Sequence, residues 1–98
     1  MIAETANQEF GKLLKEWDEN YTNTSIDDKF ALGEVWMRAQ NLYNGAGYET
    51  HNVIISKLEF ALSPKNTGYK ATTPFAIDWA NRMISIMREL AQIYHLAD

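Results

Sequence analysis

The chain contains no cysteine, which removes disulfide frameworks, thiol nucleophiles and every cysteine-ligated metal site, and which fits a reducing compartment. Histidine is nearly as scarce: His51 and His95 are the only two, and neither stands in an H-x-x-x-H or H-E-x-x-H spacing, so no helix face offers a metal two imidazoles. Long apolar runs are also missing, since none approaches the ~18 residues that a membrane span needs. The first ten residues, MIAETANQEF, have neither the basic start nor the apolar core of a signal peptide. The expectation is a soluble cytoplasmic protein with no membrane partner. In that setting the acceptor patterns Asn20-Tyr21-Thr22 and Asn23-Thr24-Ser25 carry no glycan.

The usual signatures of catalysis are absent as well. Ser25, Ser56, Ser63 and Ser85 lie outside any G-x-S-x-G setting. The nearest carboxylate pairs, Glu16 with Glu19 and Asp27 with Asp28, fall at helix ends where solvent keeps them ordinary acids, whereas acid–base catalysis needs a partly desolvated site to tune them. No catalytic residue, metal or cofactor is expected. A small enzyme would require a pocket that brings His51 beside Glu49, Asp78 or another acid.

Positive charge is in short supply at one end. Residues 1–34 hold eight acids and three bases, residues 35–98 five acids and six bases, and the net charge is −4. That balance argues against general nucleic-acid binding, which uses a concentrated basic face to release counterions. The N-terminal acidic excess is too sparse for a mimic of DNA and reads as a solvated face.

What the chain does have is apolar material in helical register. Its 98 residues are 46% hydrophobic, enough for one compact domain over residues 1–98 and too little length for two. In AETANQEFGKLLKEWDENY, residues Ala6, Phe10, Leu13, Leu14, Trp17 and Tyr21 share an arc of roughly 100°, the mark of a helix packed on one side. Gly11 inside it costs about 1 kcal/mol relative to alanine unless a neighbour packs closely there. TNTS breaks the pattern, and Ser25 followed by Asp27 and Asp28 predicts a capped second helix whose acids face its positive end. That helix gathers Ala31, Leu32, Val35, Trp36, Ala39, Leu42 and Tyr43 on a core face and ends at Asn44-Gly45. Ile26, Phe30 and Met37 form a second stripe within roughly 40° on another side, and must meet another element or lie at an interface. The pair Gly45-x-Gly47 follows a helix rather than a strand, so it reads as a cap and turn and not as a phosphate loop.

VIISKLEFAL, residues 53–62, fits two templates. As a helix it places Ile54, Ile55, Leu58, Ala61 and Leu62 on one face; as a strand, Ile54, Leu58, Phe60 and Leu62 on one side, with SPKNTG as a hairpin turn. The helix is preferred because an isolated two-stranded hairpin is marginal. Thr73 and Pro74 then open a last helix running to about His95. Its apolar arc is roughly 220° wide and includes Phe75, Ile77, Trp79, Met83, Ile84, Ile86, Met87, Leu90, Ile93 and Tyr94. One neighbour cannot cover that arc, so this helix is either central or shared with another chain.

LSPKNTGYKATTPF, residues 62–75, is the longest stretch without a helical period. Lys65 and Lys70 bracket Tyr69, and Thr72 and Thr73 lead into a helix N-terminus, whose unpaired N–H groups favour an anion. Tyr69, or Tyr48 from the glycine loop, could stack on a base whose edge Asn66 reads.

The residues together predict an all-α fold, a compact four-helix bundle-like domain, with an α+β fold carrying a hairpin over about 53–72 as the alternative. The expected function is non-enzymatic binding of a protein partner, with self-association into a homo-oligomer through Ile26, Phe30, Met37, Ile86 and Tyr94. The alternative is a small anionic ligand or nucleotide held by Tyr48, Lys65, Asn66, Tyr69, Lys70, Thr72 and Thr73.

Overall fold

A computed structural model describes residues 3–46 and 51–97. Among them are four α-helices, α1 (Ala3–Asn20), α2 (Ile26–Tyr43), α3 (His51–Leu62) and α4 (Pro74–Ala97), with a single 3₁₀ turn, Tyr21–Asn23, between the first two. The chain is all-α. The hairpin alternative is corrected: residues 51–62 are helical, residues 63–73 contain no strand, and α3 buries Ile54, Ile55, Leu58 and Ala61, the face its helical period marked.

The order of contacts gives the topology. Residues 10 and 14 of α1 meet 43 and 36 of α2, residues 13 and 17 of α1 meet 79 and 75 of α4, Glu34 of α2 meets Lys57 of α3, and His51 and Glu59 of α3 meet Tyr94 and Arg88 of α4. Numbers rise on one partner as they fall on the other, so each helix runs antiparallel to its neighbours, in the up-down-up-down order short connections favour.

Helix α4 is the central element, as its wide apolar arc requires. Ala76, Trp79, Ala80, Met83, Ile84, Ile86, Met87 and Leu90 are buried against α1 and α3, while Ile77, at an edge of the arc, and Tyr94, near the C-terminal end of the helix, remain partly exposed. The placement of Ile86 at an interface is therefore corrected: it is 5% exposed and belongs to the core.

Trp17 and Trp79 are fully enclosed with ring centroids 5.1 Å apart, and Phe75 stacks on Trp17 at 6.3 Å. Each tryptophan removes about 150–250 Å² from water, worth about 4–6 kcal/mol. The Trp79 indole donates to the Leu13 carbonyl at 2.7 Å, and the Trp36 indole to the adjacent Leu14 carbonyl at 3.2 Å. Two helices are thus keyed to neighbouring carbonyls of α1. Gly11 has the close neighbour its position calls for: a Cβ there would lie 3.0 Å from Tyr43 Oη, with the Tyr43 ring set edge-on to Phe10 at 5.3 Å.

Caps close the helices where the sequence marks them. Ser25 Oγ accepts from the Asp28 N–H, Thr73 Oγ1 accepts from the Ala76 N–H, and Gly45 takes the left-handed conformation (φ 72°) at the end of α2. Tyr21, expected on the buried stripe of α1, lies past the helix end and is exposed, with the Lys29 ammonium 4.5 Å from its ring centroid. Among the described residues no helix is long and apolar enough to cross a membrane.

Candidate functional site

Residues 63–73 form a built loop. Ser63 Oγ accepts from the Lys65 N–H, and the side chain of Asn66, 3% exposed, accepts from the Gly68 N–H and donates to the Tyr69 carbonyl, both at 2.8 Å. The loop end is tied to α3 by the Ala71 N–H on the Ala61 carbonyl. It is tied to α2 by Asp28, whose carboxylate accepts from the Thr72 N–H at 2.8 Å and from the Thr73 hydroxyl at 2.6 Å. Burial pushes the Asp28 carboxyl up, but these hydrogen bonds, that of Thr73 foremost, outweigh it and hold the group below its ordinary value. Asp28 is a fully buried anion at the start of α4, where the helix dipole also favours it.

That arrangement bears directly on the anionic-ligand residues. Thr72 and Thr73 already donate to Asp28, and Asn66 is spent inside its own loop. Lys70 reaches back to the Pro64 carbonyl at 3.4 Å, and Lys65 is exposed. Tyr48 lies outside the described residues. The two lysines and two threonines do not converge on a common point, because the chain's own aspartate occupies the place an external anion would take.

Tyr69 is placed differently. Its ring stacks on Phe30 of α2 with centroids 4.7 Å apart, forming one end of an open groove of about 650 Å³ between α2, α3 and the loop. Val53 and Phe60 of α3 line it opposite Phe30, and Ala31, Val35 and Ala61 contribute to the apolar lining. The charged residues that line the groove, Glu34 and Lys57, are of opposite sign and 3.6 Å apart, and Glu34 Oε1 also lies 2.8 Å from Arg38. The Arg38 hydrogen bond, with the Lys57 charge, holds the Glu34 carboxyl below its usual value, so it stays ionised and is no general acid near neutrality.

Beside the groove lies the second stripe of α2. Ile26, Phe30 and Met37 are 68%, 59% and 55% exposed, on the side of the helix opposite buried Leu32, Val35 and Ala39, and the stripe is about 16 Å long at 1.5 Å per residue. Phe60 and Tyr69 are 60% and 54% exposed. Five large apolar side chains are thus gathered on one face, more than scattered surface hydrophobics account for. Phe60 and Val53 carried a readable signal, being apolar residues seven apart on the side of α3 away from its core face.

The remaining interface residue, Tyr94, sits elsewhere. It stacks on His51 at 5.5 Å and its hydroxyl meets the Asn7 amide at 3.4 Å, beside a cavity of about 250 Å³ lined also by Phe10, Leu42, Tyr43 and Leu90. Burial pushes the His51 imidazole below its ordinary pKa, toward the neutral form. No acid lines this cavity among the described residues. Asp78, one of the carboxylates a His51-based site would need, is paired with Arg82 at 3.4 Å, and Glu49 lies outside the described residues. No cluster of three metal-ligating side chains occurs among the described residues.

No protein-family model, curated protein or solved structure matches the chain.

Proposed function

We propose that this chain is a non-enzymatic protein-binding module, and that its contact surface is the outer stripe of α2 together with the groove between α2, α3 and the 63–73 loop. The observation that carries the proposal is the gathering of Ile26, Phe30, Met37, Phe60 and Tyr69 on one face, all more than half exposed, beside an apolar groove whose charges are internally neutralised. Such a surface gains by being covered, and its exposed aromatics are the residue types that dominate binding energy at interfaces. Among the described residues the groove lining contains no histidine, and its one carboxylate, Glu34, is paired with two cations, which favours recognition over chemistry.

The test is affinity capture from cells that naturally make the protein, comparing the native chain with a Phe30→Glu, Phe60→Glu double variant whose helix content is checked by circular dichroism. A partner retained by the native chain and lost by the folded variant supports the surface. Equal retention by both moves the contact to another face.

A further inference from the structure

The seam on α2 has a feature that the monomer does not use. A glycine inside a helix lowers its stability relative to alanine, and Gly11 has a reason within the fold: the Tyr43 ring occupies the space a Cβ would need. Gly33 has none, because a Cβ built there meets nothing within 4 Å. Itself partly exposed, it lies between the exposed Phe30 and Met37 on the line Ile26, Phe30, Gly33, Met37, whose spacing of four, three and four residues is that of facing positions in paired helices. The missing side chain leaves a notch flanked by projecting apolar groups.

We propose, resting on the surface assigned above, that the occupant of this seam is α2 of a second copy of the chain, packed antiparallel with the two Gly33 notches facing each other at a two-fold axis. A strip that carries both its own knobs and its own hole is self-complementary, which a two-fold interface demands. With the axis near residues 33 and 34, Phe30 of each copy meets Met37 of the other, and the notches let the helix axes approach to the short end of the usual 8–10 Å range. The charges fit this register. Each Glu34 near the axis is neutralised by its own Arg38 and Lys57, so the two copies bring no unpaired carboxylate together there. The molecule measures 38 × 28 × 23 Å, so this face has room for the about 800 Å² per partner that a stable interface buries.

The experiment is sedimentation velocity on the full chain from about 1 to 100 µM, run on the native chain and on Gly33→Leu. Leucine is the better helix former at this exposed site, so the variant folds, and it adds apolar surface. A merely sticky patch therefore associates more strongly when Gly33 becomes leucine, whereas a notch that must be empty associates less. The expected result is a native dimer whose dissociation constant rises about tenfold or more in the variant. Because the chain has no cysteine, Gly33→Cys gives a second readout: oxidation links two copies through position 33, and an Asp18→Cys control on α1 stays monomeric. A dimer that Gly33→Leu leaves intact or tightens overturns the proposal. So does a native chain that is monomeric throughout: if partner capture remains sensitive to Phe30→Glu the surface assignment stands without a second copy, and if it does not, both fall.

Discussion

Helices α2 and α4 both carry more apolar surface than one neighbour can cover, and the fold treats them oppositely. The roughly 220° arc of α4 is met from two sides by α1 and α3, so that among its described large apolar residues the most exposed are Ile77, at one edge, and Tyr94, near the C-terminal end. The apolar residues of α2 are split into two stripes on opposite sides; one buries Leu32, Val35 and Ala39, and the other leaves Ile26, Phe30 and Met37 uncovered. A continuous wide arc is resolved by placing the helix in the middle of the bundle. Two opposed stripes are not resolved within four helices, because a helix that faced neighbours on both sides would take the central position that α4 already holds. The difference separates residues that hold the fold together from residues available for contact.

The largest effect is expected in α4. Trp79→Ala removes a fully buried indole that packs on Trp17 and bonds the Leu13 carbonyl, and should cost about 3–5 kcal/mol in urea unfolding. A loss below about 1 kcal/mol would mean that α4 is not the centre of the core. Next comes Asp28, which belongs to α2 but serves α4. Asp28→Ala leaves the Thr72 N–H and the Thr73 hydroxyl without their acceptor and should cost about 2–4 kcal/mol. The folded pKa of Asp28 lies below its usual value of 3.8, so its contribution is fully present above about pH 4 and is lost as the pH falls through the depressed value. The native chain should accordingly weaken below about pH 4, and Asp28→Asn should flatten that part of the decline.

The two glycines sharpen the comparison further. Gly33→Ala, measured where the chain is monomeric, should raise stability by about 0.5–1 kcal/mol, because the new methyl group meets nothing. Gly11→Ala should give no gain, since its Cβ arrives 3.0 Å from Tyr43. Phe30→Glu separates stability from contact. It forfeits one exposed ring stack with Tyr69 and should cost less than about 1.5 kcal/mol while removing partner binding.

Much of the framework was legible in the chain. The period identified α1, α2 and α4 and left α3 between helix and strand, a choice made on the weakness of an isolated hairpin, and Ser25, Thr73 and Gly45 marked ends that the structure caps with those residues. The close neighbour of Gly11 was legible as a requirement, though not as Tyr43. What a helical wheel does not contain is which sides acquire neighbours. Ile86 and Tyr94 fall on the same wide arc, yet one is buried and the other is half-exposed beside His51. Asp28 reads as an acid at the start of its own helix, and its bonds to Thr72 and Thr73 join residues more than forty positions apart. The 62–75 segment likewise reads as an anion site from its lysines and threonines. Its threonine and asparagine donors are instead taken up by Asp28 and by the Tyr69 carbonyl, and its contribution to the surface is the Tyr69 ring.

The central claim is that α2 presents to other proteins a face the fold itself does not need. Its most direct test is photo-crosslinking in the cells that make the protein, with a photoreactive side chain in place of Phe30 in one chain and of Asp18, on the exposed face of α1, in another. Discrete protein adducts are expected from position 30, including or consisting of a second copy, and none from position 18. Adducts from position 18 with none from position 30 would contradict it.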